Sequence, residues 1–227
     1  MSKNLFITGT GTDVGKTFVT ALIVKKLAQH NKKVAYYKAA MSGNERHKDG
    51  SLIPGDALWI QKISGIHQSL EEMCPFVYEH AYSPHLASRL EGNPVNMDAV
   101  KKGFAAVSQT YDYVTLEGSG GILCPLCFDE EKIQLEDVIR ELHLSSLIVA
   151  DAGLGTINSV VLTVEYMRSR GLPIQGLIFN HYHPGNIMEE DNLRMCEHMT
   201  GLKVLAYVKD GDTDLDLDID TLTSLYE

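Results

Sequence analysis

Nine consecutive residues, Gly9-Thr-Gly-Thr-Asp-Val-Gly-Lys-Thr17, carry the first recognisable chemistry in this 227-residue chain. A short apolar segment precedes them and a helical pattern follows, which is the context of a phosphate-binding loop. Glycines let the backbone approach phosphate oxygens, and successive N–H groups point into the bend. The positive end of the helix that follows favours an anion at the same place. In this reading Lys16 bridges the outer phosphates and the Thr17 hydroxyl ligates Mg²⁺. The loop is one residue longer than the common form: its first glycine is Gly9, and Thr10 stands where that glycine usually does.

A magnesium ion bound to phosphates usually also takes one or two carboxylates. Asp56, in Pro54-Gly-Asp-Ala, lies where a loop ends and a helix begins, and Glu117 follows a strand and precedes Gly118-Ser-Gly-Gly121. The carboxyl ends of strands are where open α/β sheets bind ligands. Taken singly, Asp56 also suits a helix cap and Glu117 a solvated strand end. Lys38 closes a second strand at the same edge and suits charge developing on a transferring phosphoryl group. A strand-end lysine reaching solvent is the alternative, and Ser42 is equally open.

The elements that must hold these residues can be read from the apolar spacing. Leu5–Thr8, Val34–Lys38, Asp112–Leu116, Leu147–Ala150 and Ile174–Phe179 read as strands. Lys16–His30 and Asn158–Arg170 read as helices, the second stopped by Gly171 and Pro173. Strands separated by helices predict an α/β fold, a single doubly wound and mostly parallel sheet with helices on both faces. No repeat, low-complexity block or flexible linker interrupts the chain, so residues 1–227 are expected to form one domain. Met41–Pro54 reads as a polar surface loop, and the aspartates at alternate positions between Asp210 and Asp220 as a solvated edge.

Composition narrows the partners. The net charge is −10, whereas a protein that wraps nucleic acid clusters Lys and Arg, so no nucleic acid is expected. No apolar run reaches the length of a membrane helix, so no membrane is expected either. The first residues enter a strand directly, without a secretory pattern. Four cysteines are few for a stapled extracellular domain, and a cytoplasmic protein with reduced thiols follows.

Together these pieces resemble the dethiobiotin synthetases, a P-loop NTPase family. The carrying motifs are the nine-residue loop, Tyr37-Lys-Ala-Ala-Met-Ser-Gly43, Asp56, Ser83-Pro-His85, Glu117-Gly-Ser-Gly-Gly121 and Gly153-Leu-Gly-Thr-Ile-Asn158, in the family's order from residue 2 to about residue 182. The resemblance implies ATP as co-substrate, Mg²⁺, and ring closure of 7,8-diaminopelargonic acid with CO₂ or bicarbonate. It implies nucleotide contacts from Asp13, Val14, Gly15, Lys16, Thr17, Phe18, Asp56, Glu117, Gly118, Ser119 and Gly120, with Asn180 reading the base. Thr17, Asp56 and Glu117 would hold Mg²⁺, and Lys16 and Lys38 would be catalytic. Thr12 and Ser42 would line the diamine, and Gly155, Thr156, Ile157 and Asn158 its distant carboxylate. In the family that helix start comes from the second subunit, which implies a homodimer. One departure stands out: Leu205–Gly211 lacks the proline of the family's turn after the last strand.

Three other readings are weaker. Cys124-Pro-Leu-Cys127 has no second cysteine pair to complete a zinc site and does not open a helix as redox pairs do. His181-Tyr-His183 lacks a carboxylate at short spacing. A partitioning-type switch ATPase would carry an additional lysine early in the loop, where this chain has Thr8-Gly-Thr-Gly11.

Overall fold

Period-two alternation in the apolar runs decides the architecture. In β1 (Lys3–Gly9) Leu5 and Ile7 enter one apolar core and Phe6 enters another, and all three are fully buried. A strand buried on both sides needs cover on both sides. The computed structural model describes residues 2–227 and shows that cover. α1 (Lys16–Gln29) lies on the Leu5 side. β2 (Val34–Lys38) and β3 (Ala40–Met41) lead to α2 (Gly55–Ser64), α3 (Leu70–Met73), β4 (Phe76–Val77), α4 (Pro84–Leu90) and α5 (Met97–Thr110). β5 (Tyr113–Glu117) is followed by a β6–β7 pair (Pro125–Phe128, Lys132–Gln134), α6 (Leu135–Glu141) and β8 (Ser146–Asp151). α7 (Thr156–Ser169), β9 (Ile174–Asn180), α8 (Ile187–Thr200), β10 (Val204–Tyr207) and α9 (Ile219–Ser224) complete the chain.

Six strands form the main sheet in the order β10-β9-β8-β1-β5-β2, every pairing parallel. The doubly wound expectation therefore holds. Alternation repeats across the sheet: Val34, Tyr36, Leu147, Val149 and Ile178 join α1, α2 and α9 on one face. Ala35, Tyr37, Val114, Ile148 and Phe179 join residues of α5, α6, α7 and α8 on the other. Among the described residues no helix is long and apolar enough to cross a membrane.

Several boundaries differ from the sequence reading. Glu117 is the last residue of β5, not the residue after it, so the backbone ladder fixes its position. α7 starts at Thr156, two positions before the expected Asn158, because Gly155 adopts φ 92° and turns the chain into the helix there. The expected loop from Met41 to Pro54 is only partly a surface loop. Met41 closes β3, and the Asn44 side chain is buried, its Nδ2 donating to the carbonyls of Met41 and Tyr78. The acidic segment is the expected edge: Leu215 and Leu217 fill the core while Asp214, Asp216 and Asp218 face solvent.

Candidate active site

The loop between β1 and α1 is shaped by glycine where no other residue fits. A Cβ on Gly9 would stand 2.8 Å from Val14 Cγ2, and one on Gly15, at φ 82°, would stand 1.9 Å from Asn180 Nδ2. Lys16 opens α1, is 8% exposed, and donates from Nζ to the Gly11 carbonyl at 2.7 Å, folded into its own loop. Burial pushes its amine below the ordinary lysine value, against an opposing pull from Glu117.

Four expected residues meet at the carboxyl edge of the sheet. Thr17, in the first turn of α1, donates its hydroxyl to Glu117 Oε1 at 2.8 Å. Lys38 is the register partner of Glu117, and its Nζ lies 2.8 Å from Glu117 Oε1 and 2.7 Å from Asp56 Oδ2. Asp56 comes from the first turn of α2. Burial alone would lower the Lys38 amine, but Glu117 and Asp56 outweigh it and hold the ammonium well above its ordinary value. Lys38 is therefore a fixed positive charge. The Glu117 side chain has no exposed surface, and such a carboxylate is tolerable only when donors satisfy it.

The last of those donors is Tyr36, which the sequence reading missed. Its hydroxyl donates to Glu117 Oε2 at 3.2 Å, and burial followed by the Glu117 charge raises its phenol well above the ordinary value. Side chains two apart on a strand share a face, so Tyr36 could have been inferred once Lys38 was placed. A hydroxyl and two carboxylates are hard oxygen donors, the set that suits Mg²⁺ when phosphate and water supply the remaining ligands.

A cleft of about 690 Å³ opens beside these residues, lined by Thr12, Asp13, Ser42, Ser119, Gly120 and Cys124 among others. The structure thus brings Thr12 and Ser42 into one cavity with Ser119, Gly120 and Gly121. Gly118 donates its N–H to the Ile7 carbonyl at 2.9 Å, and Ser119 Oγ donates to the Ala40 carbonyl at 2.8 Å. The Ser83 hydroxyl, also on the cleft wall, pairs with His85 Nδ1 at 2.9 Å. Phe18 packs against the α1-side core. Gly155, Thr156, Ile157 and Asn158 do not line this cleft; Gly155 and Asn158 are exposed at the start of α7. Asn180 is buried against the phosphate loop, with Nδ2 donating to the Val14 carbonyl at 3.3 Å.

All four cysteines are free, and among the described residues no group of three His, Cys, Asp or Glu is placed to hold a metal. Burial pushes the Cys124 thiol above its ordinary value, so it stays protonated. Each histidine of His181-Tyr-His183 does find a carboxylate: His181 Nδ1 lies 2.6 Å from Asp151 Oδ2, and His183 Nδ1 lies 3.0 Å from Glu189 Oε1. The first partner is 30 residues away, beyond the reach of a short-spacing search.

Comparison with known proteins identifies the family. A family profile described as an AAA domain (AAA_26) matches residues 3–212. An ATP-dependent dethiobiotin synthetase of Brachyspira hyodysenteriae is 47% identical over 217 residues, covering 95% of this chain and 96% of its own. One of Clostridium botulinum is 42% identical over 227 residues, covering 100% and 99%. Among solved structures, the MinC:MinD cell division protein complex of Aquifex aeolicus aligns with TM-score 0.59 at 15% identity, covering 98% of this chain and 86% of that one. A ParA family ATPase of Chlorobium tepidum aligns with TM-score 0.57 at 13% identity, covering 99% and 90%. Those two likenesses show the fold alone. Identity above 40% along nearly the whole of both chains says more: this chain belongs to the ATP-dependent dethiobiotin synthetases.

Proposed function

We propose that the site closes a cyclic urea on 7,8-diaminopelargonate in three steps. One amine attacks CO₂ and loses a proton, giving a carbamate. A carbamate oxygen attacks the γ-phosphorus of ATP while the bond to the β-phosphate oxygen breaks, releasing ADP and leaving a carbamic–phosphoric anhydride. The second amine attacks the carbamate carbon, the C–O bond to phosphate breaks, and a proton is lost as phosphate departs.

The observation that carries this reading is the meeting of Thr17, Lys38, Asp56 and Glu117 at the end of the Lys16 loop, beside a cleft that also holds Thr12 and Ser42. Little covalent chemistry falls to the protein in phosphoryl transfer, so positioning and charge neutralisation dominate. The loop N–H groups and Lys16 hold the phosphates. Lys38, kept charged by its two carboxylates, neutralises the carbamate and the phosphoryl group as charge moves between them. Thr12 and Ser42 place the two amines. Thr17, Asp56 and Glu117 would hold Mg²⁺, which would supply charge neutralisation for the phosphoryl transfer. Asn180 reads the base at the carboxyl end of β9. The start of α7 suits the substrate's distant carboxylate, and because it lies outside this chain's own cleft, a second copy of the chain would supply it in a homodimer.

The test is phosphate release from ATP with Mg²⁺ and bicarbonate, with and without 7,8-diaminopelargonate, the product identified by mass. Diamine-dependent release with a cyclic urea is expected. Release that ignores the diamine overturns the reading.

A further inference from the structure

Behind Asn180 stand two residues with no role in the scheme above. His181 follows it at φ 55°, a left-handed conformation that a histidine adopts only with some strain. The turn brings the ring back onto its neighbour, with Nε2 3.0 Å from Asn180 Nδ2 and Nδ1 2.6 Å from Asp151 Oδ2. Asp151 ends β8 and is the register partner of Asn180 on β9, so the sheet itself fixes this triangle.

For a neutral imidazole the hydrogen-bond arithmetic leaves one arrangement. A carboxylate only accepts, so the ring proton sits on Nδ1 and Nε2 is left as an acceptor. Nε2 then accepts from the Asn180 amide, and the Val14 carbonyl, 3.3 Å from Nδ2, accepts from it as well. Both donor directions of the amide are occupied, so the carboxamide cannot turn over. Its Oδ1 remains buried and without a partner. Asp210, the other acid facing the ring, is 4.0 Å from Nε2, too far for a hydrogen bond. An unsatisfied buried acceptor is rare and unfavourable, and a donor supplied by a ligand relieves it.

We propose that the His181–Asp151 pair is a positioning device for nucleobase choice: it locks the Asn180 carboxamide so that only its oxygen is left for the base, favouring a purine with a 6-amino group over one with a 6-oxo group. The inference rests on the reading that Asn180 contacts the base. It also supplies, from this chain's own residues, a route to base selection that does not need the proline missing from Leu205–Gly211.

The experiment compares kcat/KM and equilibrium binding for ATP and inosine triphosphate, which differ at the purine 6-position and at N1. The wild-type protein should prefer ATP. His181→Lys keeps a donor for Asp151 but removes the acceptor that holds Asn180 Nδ2, so the amide is released to turn its oxygen toward the ammonium and offer Nδ2 to the base. The ATP preference should fall about tenfold or more, and tilt toward inosine triphosphate. His181→Gln can still accept from the amide and should keep most of the preference, while Asp151→Ala, which frees the ring tautomer, should give an intermediate ratio. Should His181→Lys fail to fold, the difference between His181→Gln and Asp151→Ala still decides the question. Asn180→Ala separates the two levels. If it leaves the ratio unchanged, the base is read elsewhere and both readings fall. If it moves the ratio while the His181 and Asp151 variants do not, the positioning role alone is overturned.

Discussion

Thr17 and Glu117 are 100 positions apart in the chain, yet the threonine hydroxyl donates to Glu117 Oε1 across 2.8 Å. One belongs to the first turn of α1 and the other to the last residue of β5, and the parallel pairing of β1 with β5 brings those two ends to one edge. The same Oε1 takes Lys38, and Oε2 takes Tyr36. Glu117 is thus the point at which the phosphate loop, the second lysine and the buried core meet.

Glu117→Gln tests that position directly. The amide keeps the shape but removes the charge that a hard cation needs. The Mg²⁺ concentration giving half-maximal turnover should rise about tenfold or more, a loss on the order of 1.4 kcal/mol. A Mn²⁺ titration in the presence of ADP reads the same change without turnover. An unaltered titration removes Glu117 from the proposed metal site.

Lys38→Ala should separate binding from chemistry. Lys16 and the loop amides remain to hold the nucleotide, whereas the charge beside the transferring phosphoryl group is lost. Removing one such electrostatic group typically lowers kcat by about 10²–10³. Nucleotide affinity, measured by equilibrium titration, should change far less than kcat. An unchanged kcat overturns the assignment.

The phosphate loop, Lys38 and the sheet were legible because their signals are local. Gly-Lys-Thr between a strand and a helix needs no partner to be recognised, and the short apolar run that begins Val34–Lys38 reads as a strand on its own. The Asp151–His181 contact was not legible. It joins the ends of two strands, 30 residues apart, across a sheet register that no spacing rule reports. The early start of α7 was hidden for a different reason: Gly155, a capping glycine, reads equally well as part of the preceding loop. Short elements such as α3 and β4 were also missed. Two to four residues carry too little periodicity to stand out from a loop.

Gly15→Ala should damage both stability and nucleotide binding. Alanine at φ 82° is strained, and its Cβ would fall 1.9 Å from Asn180 Nδ2, so the asparagine must move. The combined effect should be about 2–4 kcal/mol in urea unfolding. The displaced Asn180 should also lower affinity for ATP. Gly11→Ala is the control: nothing lies within 4 Å of a Cβ there, and its stability should stay close to that of the parent. Equal stability of the Gly15 and Gly11 variants would contradict the packing described.

Alkaline pH should unfold the protein progressively, and Cys74 shows why. Burial raises its thiol from an ordinary value of 9.0 to about 12. Between those values the unfolded chain releases the proton while the folded chain keeps it. Fewer protons are then bound in the unfolded state, so stability falls as pH rises, by up to about 1.4 kcal/mol per pH unit for one such group. Burial raises the Tyr36 phenol as well, and its contribution is lost in the same direction once unfolded tyrosines ionise. Lys38, raised by Glu117 and Asp56 against burial, stabilises the fold below its ordinary value and loses that contribution above it. All three slopes therefore share one sign. Urea unfolding from about pH 8 to pH 11 should show a declining midpoint, and Cys74→Ala should flatten the decline above the thiol's ordinary value even though it lowers stability at neutral pH. A slope identical in the variant and the parent would show that Cys74 is not kept as a buried thiol.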